Sequence, residues 1–227
     1  MFFKNKIEIS SNDIPINLVK DYILTYPKNL PIYFKNIPRS CPFGNMRNIK
    51  SCSGFINYYT RSIAFNSPCD ISIKIDKDNS QFIARFGDGF LNNDKRLEVH
   101  NDNQFLKFLP NKKYFKIIKL RFDIFIKTDI SLIISNPWWS MNDFDVVPGI
   151  LNAKTPMELN VFLAVRNDQQ VINIKQNTPL CIIHTESNKK NNLIFKNEKI
   201  NTKIYNGFEY KFSTLKDRLL KNKFNKE

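Results

Sequence analysis

Short runs in which apolar and polar residues alternate recur along most of this chain, and they constrain its fold more than any other feature. In "DISIKID" the three isoleucines fall on one face of an extended segment, and Phe122, Ile124 and Ile126 do the same in "YFKIIKLRFDIFIKT". Because side chains on a β-strand point to opposite faces in turn, such runs predict half-buried strands. Further runs follow at short spacing, separated by Asn, Asp, Pro and Gly: "SQFIARF", "ISLIISN", "LNVFLAVRN", "QVINIKQ" and "PLCIIHT". The pattern predicts an all-β fold, a distorted barrel or sandwich.

The two ends of the chain differ from this middle part. Residues 1–60 include "PKNLPIYFKNIPRSCPFGNM", with four prolines in twenty residues, which predicts an irregular arm or cover. Residues 61–205 are expected to form the β-barrel core. Residues 206–227 predict a basic amphipathic C-terminal helix, because four apolar side chains share one helical face. These are Phe208, Phe212, Leu215 and Leu219.

The charge balance bears on the partner. The formal net charge is +14, from 35 Lys and Arg against 21 Asp and Glu. Such an excess attracts polyanions, so a nucleotide or nucleic acid is an expected partner. The abundance of Lys, Asn, Ile and Phe also fits an AT-rich coding sequence, and the spread of the positive residues along the chain leaves both explanations open. The chain has 6 glycines, which argues against a glycine-rich nucleotide loop.

Four cysteines occur without any Cys-x-x-Cys pair, namely Cys41, Cys52, Cys69 and Cys181. The N-terminal "MFFKNKIEIS" becomes charged too early for a signal peptide, and no apolar run approaches the roughly 20 residues that span a bilayer. We therefore expect a cytoplasmic protein with reduced thiols and no membrane partner.

The stretch "VVPGILNAKTPMELNVFLAV" places a Pro-Gly corner, an apolar pair, an Asn and a second proline just before a strand. This order predicts a hairpin at the edge of a ligand site. The candidate binding residues in it are Gly149, Ile150 and Asn152.

From Ser67 to His184, about half the chain, the order of segments resembles the barrel of dUTPases and dCTP deaminases, the β-clip fold. "SPCDISIKI" is similar to the first motif of that family, and "LRFDIFIKTDISLIISNPWWSMND" has the rhythm of its phosphate-binding segment. "VVPGILNAKTPMELNVFLAVRND" falls in the place of the uridine-binding hairpin, and "INIKQNTPLCIIH" in that of the last barrel motif. The resemblance implies a β-clip barrel and a homo-oligomer, a trimer.

The catalytic residues of that family are largely replaced. Asn152 stands where the family has the Asp that holds the attacking water, and an amide cannot act as a base. Lys154 and Thr155 occupy the place of the aromatic residue that stacks on the sugar. The phosphate segment, residues 136–140, contains Ser140 but no arginine. Because loss of a general base costs about 10²–10⁴-fold in rate, the resemblance implies a non-catalytic binding or structural module, without a cofactor, for a nucleotide, a nucleic acid or a viral partner.

Asp70 does match the first-motif acid of the family, which is linked to the metal-bearing phosphates. A divergent nucleotide hydrolase that uses Asp70 and Mg²⁺ is therefore one alternative. Glu158 and Asp168 flank the strand after the predicted hairpin and are further candidates for acid-base chemistry.

A second resemblance covers most of the chain. "CPFGNMRNIKSCSGFINYYTRSIAFNSPCDISI", "NPWW" and "NTPLCIIHT" are similar to segments of uncharacterised proteins of large tailed phages. This resemblance implies a viral protein in the host cytoplasm and brings no activity with it.

Two other features leave alternatives open. His100, Asp102 and His184 spell the His-x-Asp…His triad of oxygenases that use Fe²⁺ and 2-oxoglutarate. A polar turn at "LEVHNDNQF" is the competing interpretation of that segment. Trp138 and Trp139 follow a strand end, where adjacent side chains face opposite ways. One ring is a candidate for stacking on a base or sugar, and the alternative is that both rings plug the mouth of the barrel.

Overall fold

Sixteen strands dominate the part of the chain that the structure describes. The computed structural model describes residues 5–26, 52–87, 96–100, 114–137, 144–185 and 191–201. The strands are β1 (Asn5–Ser11), β2 (Leu24–Thr25), β3 (Ile63–Asn66), β4 (Ile71–Asp76), β5 (Gln81–Phe86), β6 (Leu97–Val99), β7 (Tyr114–Leu120), β8 (Ile124–Lys127), β9 (Leu132–Ser135), β10 (Asp145–Val146), β11 (Gly149–Leu151), β12 (Met157–Glu158), β13 (Val161–Arg166), β14 (Val171–Ile174), β15 (Pro179–Thr185) and β16 (Asn191–Phe195). The helical elements are a short turn α1 (Ile16–Leu18), a π-helical turn (Val19–Ile23) and the helix α2 (Ser53–Arg61).

The strands form four open sheets. Sheet 1 has the order β12-β8-β1-β16, sheet 2 β10-β13-β7-β6, sheet 3 β11-β9-β15-β3-β2, and sheet 4 β14-β4-β5. Every pair is antiparallel except β1 with β16, which is parallel. The all-β prediction is confirmed, and the arrangement is that of a distorted sandwich. The described strands do not close into a barrel.

One hydrophobic core joins the four sheets. The alternation in "DISIKID" does what it predicts, because Ile71, Ile73 and Ile75 are all buried while Lys74 is exposed. Each sheet contributes side chains of this kind to the same cluster, for example Ile9 from sheet 1, Leu163 from sheet 2, Phe65 from sheet 3 and Ile172 from sheet 4. The core therefore lies between the sheets, and polar residues of the alternation occupy the outer face of sheet 4, for example Ser72 and Lys74.

Two described stretches of residues 1–60 have regular structure where an irregular arm or cover was expected. Residues 5–11 were expected in an irregular arm, but they form β1, which lies between β8 and β16 in the middle of sheet 1. Ile7 and Ile9 are buried there, because β1 has a strand on each side and these two side chains belong to the hydrophobic core. Residues 53–61 form α2 rather than irregular chain. The segment at residues 97–105, for which a polar turn was the competing interpretation, begins with strand β6, which pairs with β7, and residues 101–105 lie outside the described residues.

The predicted C-terminal helix at residues 206–227 lies outside the described residues. Among the helices that the structure does describe, none has both the length and the apolar character needed to cross a membrane.

Candidate functional site

Residues 145–160, which we name the crossover segment, pass through three sheets in succession. β10 pairs with β13 in sheet 2, β11 then pairs with β9 in sheet 3, and β12 pairs with β8 in sheet 1. The Pro-Gly corner lies where the chain leaves sheet 2: the Val147 amide donates to the Phe162 carbonyl at 2.8 Å, and Pro148 has no amide to continue that ladder. β11 and β12 pair with other strands and not with each other. The predicted hairpin is therefore a passage between sheets.

A cavity of about 570 Å³ lies beside the crossover segment. Gly149 and Ile150 line it, and Ile150 is 64% exposed, so the cavity is open to solvent along this rim. A Cβ atom at Gly149 would meet nothing within 4 Å, which leaves free space at the corner. Ile117, Ile134 and Phe162 form much of the remaining wall. The lining is mainly apolar because the outer faces of β7 and β13 meet the end of β9 there.

Two polar side chains of this cavity, those of Glu158 and Asn160, lie on the crossover segment. Glu158 is held by Arg121, whose Nε donates to both carboxylate oxygens at 3.1 Å and whose second guanidinium nitrogen donates to Oε2 at 2.7 Å. This bidentate ion pair fixes the carboxylate and raises the pKa of the guanidinium further. Asn160 donates from Nδ2 to the Glu158 carbonyl at 3.4 Å, and its Oδ1 is buried without a donor among the described residues.

His100 also lines the cavity, at the end of β6. Its ring lies 5.1 Å from that of Phe162, edge to face, and its backbone amide donates to the Ile117 carbonyl at 2.9 Å. His184, on β15 in sheet 3, instead packs against Tyr58 of α2 with 4.0 Å between ring centroids. Burial lowers the pKa of His184 to about 4, so its ring is neutral at pH 7.

The candidate metal triad stays a prediction, because the structure describes only two of its three residues. His100 and His184 belong to different sheets and contact different aromatic partners. Asp102 lies outside the described residues. Among those residues no group of three or more His, Cys, Asp or Glu side chains could hold a metal ion.

Asn152 lies away from the main cavity. It lines a second, polar cavity of about 470 Å³ together with Asp129 and Lys154. Its Oδ1 accepts a hydrogen bond from the Ser131 hydroxyl at 2.8 Å. The sequence grouped Asn152 with Gly149 and Ile150, but after β11 the chain turns away from the cavity that those two residues line.

Asp70 has a structural role at the turn between β14 and β15. Its Oδ1 accepts from the Gln176 amide at 2.7 Å, and its Oδ2 faces Lys175 Nζ at 3.2 Å. The Gln176 hydrogen bond, followed by Lys175, lowers the pKa of Asp70. Gln176 also donates from its side chain to the Pro68 carbonyl at 3.0 Å. Gln176 therefore holds this turn against both Pro68 and Asp70. Asp70 is not among the residues that line the cavity.

The remaining predicted residues divide as follows. Trp138, Trp139 and Ser140 lie outside the described residues. Asp168 is exposed and faces Arg166 at 3.6 Å.

Sequence reasoning missed Phe162 and Asn160, because β13 was recognised as a strand but its partners were unknown. The alternation of β13 was the available signal, since it places Phe162 on the face opposite to the buried Val161 and Leu163.

A second cluster of charges adjoins Glu158. Arg96 is buried and donates to Asp13 Oδ2 at 3.1 Å, and Asp123, in a left-handed conformation with φ 52°, lies beside Asp13. Burial, together with a hydrogen bond to Asp13 and the charges of Asp13 and Glu158, raises the pKa of Asp123 to about 6. The folded protein therefore keeps this carboxyl group protonated to a higher pH than the unfolded chain does.

Asp123→Asn is expected to increase the free energy of unfolding at pH 7 by about 1–2 kcal/mol, less than full linkage would give because the site is only partly buried. In the wild type the folded state binds the extra proton between the ordinary pKa of 3.8 and about 6, so the Asp123 contribution is favourable at low pH and is lost as the pH rises through that window. Asparagine tolerates the same φ and needs no proton.

The measurement is urea unfolding of wild type and variant across this window. The two curves should coincide near the low end and separate towards pH 7. Protonation of His184 changes the free energy of unfolding in an overlapping pH range and with the opposite sign. His184 is present in both proteins, so its contribution cancels in the difference between the two curves. A constant difference at every pH would contradict the linkage.

Comparison with known proteins returns no match among protein-family models, curated proteins or solved structures. The resemblances to the dUTPase barrel and to tailed-phage proteins remain predictions.

Proposed function

We propose that this protein is a non-catalytic binding module and that the cavity beside Gly149 takes the base of a nucleotide. The observation that carries the proposal is the composition of the cavity: apolar walls on most sides and a few fixed polar groups on one wall, next to an exposed corner of the chain. Ligand sites in proteins commonly have this composition and enclose about 300–1,000 Å³.

The walls fit a flat ring better than a highly polar ligand. Phe162, Ile117 and Ile134 present apolar surface from three strands, and Ile150 adds an exposed apolar side chain at the rim. A nucleobase has two faces that stack on such surface and polar groups only at its edge. Covering Ile150 and the neighbouring wall would remove apolar area from water, at about 25 cal/mol per Å².

The polar wall fits the edge of a base. Asn160 Oδ1 is an acceptor without a donor in the described part of the chain, and leaving such an atom unpaired costs about 1–3 kcal/mol. A small rotation of the Asn160 side chain would bring this buried oxygen to the cavity surface, where a ring N–H or amino group would supply the missing donor. In this orientation of the amide, Nδ2 donates to the Glu158 carbonyl at 3.4 Å and Oδ1 is the acceptor.

The same wall favours binding over catalysis. Glu158 gives both carboxylate oxygens to Arg121, and this engagement favours a structural role for the carboxylate over that of a general base. Asn152 and Asp70 lie elsewhere and are engaged in hydrogen bonds. The net charge of +14 adds a long-range attraction for the phosphate of a nucleotide.

The test is calorimetric titration at low salt with the common nucleoside 5′-monophosphates, with ribose 5-phosphate and with a short single-stranded DNA. We expect at least one monophosphate to bind and ribose 5-phosphate to bind much more weakly, because it lacks the base. Ile150→Asp should weaken binding at least tenfold, or about 1.4 kcal/mol, since it puts a charge at the apolar rim.

Ile83→Asp is the matched control, because Ile83 is 54% exposed on sheet 4 and does not line the cavity. It should bind like the wild type. Equal binding of ribose 5-phosphate, unchanged affinity of Ile150→Asp, or binding of DNA alone would contradict the proposal, and the last result would point to a nucleic-acid surface instead.

A further inference from the structure

β5 is an edge strand of unusual regularity. It pairs with β4 over six consecutive residues, from Ile71 opposite Phe86 to Asp76 opposite Gln81, without a register shift. Among the described strands β4 is its single neighbour. The other side of β5 therefore presents a row of backbone N–H and C=O groups that no described strand pairs.

Proteins normally protect such an edge with charges, proline or a bulge. β5 contains no proline and no bulge, and Arg85 is its one charged residue. Ile83 points outward from the sheet and is 54% exposed. Phe82 and Phe86 point inward and are only partly buried, so apolar surface reaches the rim of the sheet on both faces.

The outward face adds to this apolar character along one row. Val171, Lys74 and Ile83 stand side by side on β14, β4 and β5, and Val171 is 44% exposed. The aliphatic stem of Lys74 lies between two apolar side chains, so the row continues as far as the open edge.

We propose that β5 pairs with β5 of a second copy of this chain, antiparallel, so that two three-stranded sheets join into one six-stranded sheet. A twofold axis perpendicular to the sheet keeps the exposed faces together, and it places Ile83 opposite Ile83 of the second copy. The arrangement is a dimer, whereas the β-clip resemblance implies a trimer. It uses no residue of the cavity and does not depend on the proposed function.

Charge complementarity favours a second copy over an unrelated extended peptide. In this register Arg85 lies opposite Gln81 of the second copy, and Asp76 stands next to Gln81 in the same row. The backbone of Arg85 and the backbone of Asp76 in the second copy are two strand spacings apart, about 10 Å. The long arginine side chain spans this distance. Because of the twofold symmetry, the dimer contains this Arg85–Asp76 ion pair twice. Asp76 is ionised at neutral pH, because hydrogen bonds from Asn79 lower its pKa.

The first measurement is sedimentation velocity of the full chain from micromolar to submillimolar concentration. The wild type should show a monomer–dimer equilibrium, and Ile83→Asp should shift it to monomer while remaining folded, with a urea midpoint close to that of the wild type when both are measured at a concentration at which the wild type is monomeric. Ile150→Asp should associate like the wild type, which separates this proposal from the nucleotide site. A wild type that stays monomeric throughout, or an Ile83→Asp variant that still dimerises, overturns the proposal.

The second measurement is disulfide cross-linking in a background with Cys41→Ser and Cys52→Ser. Ile83→Cys should form a covalent dimer under mild oxidation, since directly opposite residues have Cβ atoms about 5 Å apart. Val171→Cys is the matched control, because five strand spacings, about 24 Å, separate it from its equivalent. Equal cross-linking at the two positions would refute the β5 pairing.

Discussion

Phe122→Ala is expected to lower the free energy of unfolding by about 3–5 kcal/mol. Phe122 is completely buried at the bend between β7 and β8, and its ring packs edge to face on that of Phe65, with 5.7 Å between centroids. These two rings join sheet 3 to the strands of sheets 1 and 2. Alanine leaves a cavity that the surrounding strands cannot close, and the Phe65 ring loses its partner.

Urea unfolding followed by circular dichroism measures this loss. Phe195→Ala is a suitable control, because Phe195 is only partly buried on the edge strand β16, and its loss should cost much less. Domains are stable by about 5–15 kcal/mol, so the Phe122 variant is expected to be unfolded in part or to melt far below the wild type. Equal losses for the two variants would show that the core is not centred on Phe122.

Arg121→Met is expected to lower the free energy of unfolding by about 2 kcal/mol, between the values typical of exposed and of fully buried ion pairs. The side chain of Glu158 is 13% exposed and that of Arg121 is 33% exposed. Methionine preserves most of the packing but leaves the Glu158 carboxylate without its bidentate partner, near the Asp123 and Asp13 pair. The remaining carboxyl groups then repel one another at neutral pH.

A double-mutant cycle isolates that contribution. Glu158→Gln in the Arg121→Met background should recover part of the loss, because the uncompensated charge is gone. Lys175→Met removes the exposed ion pair with Asp70 and should leave stability nearly unchanged. Additive effects of the Arg121 and Glu158 substitutions would contradict a direct pairing of these side chains.

Strands were predictable from sequence where the period of two was clear. β4, β5, β9, β13, β14 and β15 coincide with predicted runs, and the alternation is clearest in β4 and β14, where one face is buried and the other is exposed or half-buried. β15 is buried over four consecutive residues, so its apolar run identifies it rather than an alternation. β1 also alternates, with Ile7 and Ile9 buried, yet it stands next to a proline-rich stretch and its parallel partner β16 is about 186 residues away. Local pattern carries no information on such a partner. The same limit explains why the sequence could not show that the described strands form open sheets, although their order resembles that of a barrel.

The candidate site divides in the same way. The Pro-Gly corner pointed to Gly149 and Ile150, which do border a cavity. Pro148 has no N–H to donate to a ladder, so the chain leaves its sheet at this corner. Asn152 was assigned by its position in a resemblance and lies at a different cavity. The crossover segment passes between sheets 2, 3 and 1, and only this path brings together Phe162, Asn160 and the Arg121–Glu158 pair. Local residue spacing does not indicate which strands pair across sheets.

The most direct test of the account is a two-dimensional ¹H–¹⁵N spectrum of the protein titrated with the nucleoside monophosphate that calorimetry selects. If the base enters the cavity beside the Pro-Gly corner, the largest shifts fall on the amides of Gly149, Ile150, Asn160 and Phe162, while those of Ile83 and Val171 on sheet 4 stay in place. Shifts centred on sheet 4, or spread evenly over the basic surface, would contradict it.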